Sequence, residues 1–215
     1  MQLTPQTAIY ITHPQVIVDS QVQVTEWQLS PLGVERVDWL AKRVADLSST
    51  CPVAMVCSAE RKAIETATPL ADALGVDLEQ RPHTHENDRS STGFIPPDAF
   101  ERQADAFFAS PTRSVRGWET AQAAQARILR EVFAAEADHE GRALIICGHG
   151  AVGTLLYCAL AGLEIDRRWD QPPGGGNWFA YDCLSRRPLS HWAPIETLFV
   201  DQNQSRENNR AAVRF

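Results

Sequence analysis

Residues 142–150, "RALIICGHG", constrain the fold more than any other stretch of the chain. A run that is apolar at every position has no polar face to give to solvent, so it predicts a central strand covered on both sides. It stops abruptly at Gly148–His149–Gly150, and "AVGTLLYCALAGL" (151–163) reads as a helix. The segment "AIYITHPQV" (8–16) follows the same plan, with a strand over 8–12 and then Thr12, His13 and Pro14. Pro14 biases His13 to an extended conformation and keeps a helix from starting there.

The intervening chain alternates between the two periodicities. "LSPLGVERVDWLAKRVADL" (29–47) is an amphipathic helix with Ser30 as its N-cap, and "VAMVC" (53–57) is a second strand. The helix over 58–75 has Ser58 as its expected cap and Gly75 as its end. An extended piece at 76–82 leads into the loop "HTHENDRSSTGFIPP" (83–97), followed by helices at 97–110 and 117–137. "NWFAYDC" (177–183) and "LSHWA" (189–193) read as late strands joined by a polar turn, an antiparallel edge. Strands alternating with helices of this size predict an α/β fold: a three-layer α/β/α sandwich around a largely parallel, mixed sheet.

With 215 residues, 44% hydrophobic and 22% charged, the chain can bury one sizeable core. We expect a single domain over 1–200, with a helical and loop insertion at about 83–137, and a polar tail over 201–215. A net charge of −7 argues against nucleic-acid and anionic-membrane surfaces, both of which need a basic face. The sequence shows neither a spanning apolar run nor a secretory leader, so a cytoplasmic location is expected, with the five cysteines reduced. The sequence sets no oligomeric state.

In an open parallel sheet the carboxyl ends of the strands line the ligand crevice. Three such ends carry chemistry here: Thr12–His13, the junction after Ser58 with Arg61 and Lys62, and Gly148–His149. Two imidazoles, a basic pair and glycines beside a helix N-terminus suit a tetrahedral oxyanion such as phosphate. In "HTHE" (83–86), His83 and His85 are spaced so that both can reach one metal ion, but a phosphate site accounts for Glu86 without one. Neither a metal nor another cofactor is expected.

The segments "ITHP" (11–14), "CSAERKAIETA" (57–67), "HENDR" (85–89) and "CGHGAVGTLL" (147–156) together resemble the histidine phosphatase superfamily, the phosphoglycerate mutase-like group. That resemblance implies a metal-independent hydrolase of a small phosphate monoester. His13 would be the histidine that becomes phosphorylated, His149 the second histidine on the phosphoryl oxygens, and Glu86 the loop acid, with Asp88 and Glu119 as alternatives. Lys62 falls where the family has a phosphate-binding arginine, and Thr12 stands where it has the other, with Arg61 and Arg89 as replacements. Pro14 replaces a glycine, but its carbonyl is available to orient an imidazole. Loss of both bidentate forks leaves a second reading, a weakened or inactive member that binds a phospho-ligand or a protein partner.

Overall fold

A computed structural model describes residues 3–45 and 51–199. Among them one mixed sheet organises the chain. In spatial order it consists of β3 (Leu78–Arg81), β2 (Val53–Ser58), β4 (Ala143–Gly148), β1 (Thr7–Thr12), β5 (Asn177–Asp182) and β6 (Arg187–Pro188), while β7 (Ala193–Pro194) pairs with β5. The first four strands are parallel, and β5 runs antiparallel to β1. The expected tail over 201–215 lies outside the described residues.

The apolar "ALIICG" strand is central, as its composition requires: every residue of β4 is buried, between β2 and β1. Strand alternation then divides the core. Ile9, Ile11, Met55, Cys57 and Ile145 meet α1 (Pro31–Val44) and α2 (Arg61–Leu74) through Leu40 and Leu70. Ala8, Tyr10, Val56, Leu144 and Ile146 face the other way, onto α3 (Pro97–Ala109), α4 (Ala121–Asp138) and α5 (Gly150–Ala161) through Phe107, Ile128 and Leu155. This is the α/β/α sandwich. All five cysteines are free, and all but Cys183 are buried. Among the described residues, no helix is long and apolar enough to cross a membrane.

Local boundaries differ from the sequence reading for physical reasons. Ser30 caps α1, its hydroxyl accepting from Gly33 N at 3.1 Å, and Gly75 ends α2 at φ 66°. Ser58 does not cap α2. It is the last residue of β2, its hydroxyl accepts from Glu60 N at 3.3 Å, and the helix starts at Arg61. The helix expected from 117 begins at Ala121 because Gly117 sits at φ 83°; Thr120 is its cap. Of the strand expected over 189–193 only Ala193 is in the sheet, as the start of β7, while β6 precedes the segment; between them the Ser190 hydroxyl takes the Ala180 N–H at 3.0 Å that a strand carbonyl would otherwise receive. The antiparallel β5 is therefore interior, with the short pieces outside it.

Candidate active site

Strand register brings the two histidines together. Thr12 lies opposite Gly148 in the β1–β4 ladder, so His13 and His149 leave adjacent strands side by side. The His13 amide donates to Gly148 O at 3.0 Å, and the two rings meet edge to face with centroids 5.4 Å apart. His149 is fully buried. Its backbone is held by the Tyr10 phenol, which accepts from His149 N at 3.0 Å and donates to His149 O at 3.1 Å.

The glycines around His149 are required by the packing. A Cβ on Gly148 would lie 2.3 Å from the Tyr10 hydroxyl, and one on Gly150 would lie 2.4 Å from the Gln171 amide nitrogen. The partners that need this space, Tyr10 and Gln171, are remote in the chain, so no local pattern announces them.

His13 is partly exposed, and its Nδ1 lies 2.9 Å from Pro14 O. A carbonyl only accepts, so Nδ1 carries the proton and the lone pair of the neutral ring is on Nε2. Burial, and then the Lys62 ammonium, push the His13 pKa down to about 4, so the ring is neutral at physiological pH. The His13 carbonyl accepts from Gly176 N at 2.9 Å, within a loop where Gly174, Gly175 and Gly176 all have positive φ. Arg36 clamps that loop: its guanidinium donates to Gly175 O, Gly176 O, Gln15 Oε1 and the Glu196 carboxylate.

The basic pair separates. Arg61 is not brought to the site: with α2 starting at this residue, its half-exposed guanidinium pairs with Glu65 one helical turn on, at 2.9 Å. Lys62 is buried, but its ammonium donates to Glu60 and, at 2.9 Å, to Val24 O. Thr12 has no donor left for a phosphate. Its hydroxyl donates to Gln171 Oε1 at 2.6 Å and accepts from Asn177 N at 3.0 Å. Asn177 is likewise engaged, its amide donating to Gln171 Oε1, Pro172 O and Gly175 O.

Glu60 is the residue sequence reading missed. A glutamate at the start of a helix ordinarily reads as solvated, yet this one is buried at the β2–α2 junction. Its position two residues past Ser58, in the same junction as Lys62, was the available signal. One carboxylate oxygen pairs with Lys62; the other accepts from Glu86 N at 2.9 Å and lies 3.5 Å from His149 Nε2. Burial opposes its charge, but His149, Lys62 and the Glu86 amide outweigh it and hold the carboxyl well below the ordinary range. Burial takes the His149 pKa well below its usual value, and neither ring nitrogen has a hydrogen-bond partner among the described residues.

Glu86 stands at the N-terminus of α5, its carboxylate accepting from Asn87 N at 3.0 Å, Val152 N at 3.1 Å and Ala151 N at 3.3 Å. Burial nevertheless raises its pKa, against the opposing pull of Arg89. A cavity of about 510 Å³ opens beside these groups, lined among others by Val24, Glu60, Glu86, Asn87, Arg89 and Phe94. His13 and His149 are not in its wall; Glu60 and Glu86 are. Among the described residues Arg89 forms no ion pair; its guanidinium lies over the Phe100 ring at 4.8 Å. Glu119 is spent on Arg127, which keeps it ionised despite its burial, and Asp88 is exposed.

Arg127 is a second residue the sequence did not announce. From α4 it donates to the His83, His85 and Glu86 carbonyls and to both Glu119 oxygens, tying down the loop that carries Glu86. Replacing it with methionine leaves the half-buried Glu119 without its cation. The expected cost is about 3 kcal/mol in urea unfolding, with a lower kcat because Glu86 loses its support. A change under about 1 kcal/mol would contradict this.

Comparison with known proteins places this geometry. Residues 15–183 match the histidine phosphatase superfamily (branch 1), a match that starts two residues after His13. The mycobacterial glucosyl-3-phosphoglycerate phosphatase in complex with inorganic phosphate superposes with a TM-score of 0.70 at 19% identity, covering 89% of this chain and 99% of that one. The α-ribazole phosphatase from Shigella flexneri gives 0.65 at 16% identity, with 91% and 100% covered. No curated protein sequence matches. Identities of this size speak to the fold, and the family match, spanning most of the chain, decides membership: the protein belongs to branch 1 of the histidine phosphatase superfamily.

Proposed function

We propose that the protein hydrolyses a small phosphate monoester through a phosphohistidine on Nε2 of His13, without a metal. The observation that carries this reading is the state of His13. It is neutral at a strand end, its Nδ1 proton is fixed by the Pro14 carbonyl, and it stands against a second buried imidazole from the adjacent strand. Two solved relatives named as phosphatases, one with inorganic phosphate bound, support the substrate class.

In the first step the Nε2 lone pair attacks phosphorus, the bond to the leaving oxygen breaks, and Glu86 gives that oxygen its proton. In the second, water attacks the phosphohistidine and loses a proton to the Glu86 carboxylate, releasing inorganic phosphate and neutral His13. Arg89 and His149 stabilise charge on the transferring oxygens, so positioning and electrostatics supply most of the rate.

The pH profile tests this division of roles. His13 must be neutral, so kcat/KM is sustained on acidification until about pH 4 and falls below it. Glu86 must be protonated, so the rate falls as pH rises through its elevated pKa. Hydrolysis of p-nitrophenyl phosphate in the presence of a chelator is expected, with a bell-shaped profile between the His13 limb near pH 4 and the Glu86 limb above it. Inactivity across a broad panel of monoesters would sink the enzyme reading.

The Lys62–Glu60 pair favours a second reading, a weakened member that binds a phospho-ligand or protein partner, because the cation at the family's arginine position is already neutralised. Phosphate binding without turnover on that panel is its signature.

A further inference from the structure

We propose that Glu60 makes this site select singly charged phosphoryl groups, taking a phosphate ester as its monoanion rather than its dianion. The identity of the ligand rests on the phosphatase reading above; the selection rests on where Glu60 sits. Its carboxylate is buried, forms part of the cavity wall, and lies between Lys62 and His149, two groups that would otherwise meet the phosphoryl oxygens.

The groups around Glu60 come from every neighbouring element: His13 after β1, Lys62 on α2, His149 after β4, and His85, Glu86 and Arg89 from the loop after β3. Lys62 and Arg89 are the cations, and Glu60 is a fixed anion already bound to one of them. A dianion entering here sets a second negative charge against a carboxylate that is itself buried, where repulsion is screened less than between surface charges. A monoprotonated phosphoryl group brings instead an O–H that Glu60 accepts, a short charge-assisted hydrogen bond. The single N–H of the neutral His149 ring, partnerless among the described residues, serves one of the remaining oxygens. Glu60 is thus a specificity-determining residue, and its side chain does no bond-breaking.

The test is the pH dependence of binding, read by calorimetry with inorganic phosphate and with dimethyl phosphate, which carries one charge throughout. In the unsubstituted protein, phosphate affinity is expected to fall about tenfold for each pH unit above the ligand's second pKa, while dimethyl phosphate affinity stays level. In Glu60→Gln the phosphate affinity levels off, exceeding that of the unsubstituted protein at least about tenfold at the alkaline end. These first two titrations need no variant, so the proposal stands or falls even if Glu60→Gln does not fold.

Phosphate affinity that holds or rises with pH would overturn the selection, as would no binding at any pH. So would an unchanged slope in Glu60→Gln, or a slope lost only in Glu86→Gln. Because binding needs no turnover, a protein that hydrolyses no ester yet shows the slope refutes the phosphatase reading and retains this one. Hydrolysis with kcat/KM rising above neutrality does the reverse.

Discussion

His13→Ala is expected to lower kcat on p-nitrophenyl phosphate by on the order of 10⁴-fold or more, the scale seen when a covalent nucleophile is removed. The fold should tolerate the change, since the contacts that position residue 13 are its backbone bonds to Gly148 and Gly176. Unfolding midpoints measured beside the kinetics separate lost chemistry from lost structure. A folded variant retaining more than about a tenth of the rate would remove His13 from the nucleophile's role.

Gly148→Ala is expected to cost about 3 kcal/mol or more in denaturant unfolding. The added Cβ would sit 2.3 Å from the Tyr10 hydroxyl and 2.8 Å from its ring carbon Cζ. The ring cannot retreat: it stacks on Phe179, meets Trp192 edge-on, and its hydroxyl is committed to both backbone groups of His149. The strain therefore passes directly to the second histidine. Tyr10→Phe keeps the packing but leaves the buried His149 N–H unpaired, so it should cost about 1–3 kcal/mol, less than Gly148→Ala. Equal costs for the two variants would mean that the ring moves freely, contrary to the packing described.

What the sequence disclosed about this site depended on the range of the interactions involved. His13 and His149 were legible because each follows a strand whose period and apolar content mark its end, and parallel ladders put strand ends at one edge. Lys62 was legible as a position, from its spacing after Ser58. Its neutralisation was not, because a glutamate at a helix start has no local signal of burial; only the docking of the loop after β3, which delivers the Glu86 amide, encloses Glu60. Arg61 was misplaced for a related reason. A shift of the helix start from 58 to 61 fixes which of two adjacent cations faces inward. Thr12 finds its partners at Gln171 and Asn177, and Arg127 finds its own at 83–86 and 119, separations that no local pattern encodes.

The fold itself was more legible than the site, because layer architecture follows from periodicity. The exception was the outer edge, where one serine hydroxyl, Ser190, replaces a backbone acceptor and only Ala193 of the expected segment joins the sheet.

The central claim is that the phosphoryl group passes through His13. Its most direct test is to mix the protein with p-nitrophenyl phosphate, quench in base during turnover, and locate the phosphate by mass spectrometry of the digest. Expected is a phosphohistidine at residue 13, absent in His13→Ala. Turnover with no phosphorylated residue, or with the phosphate on another side chain, would contradict it.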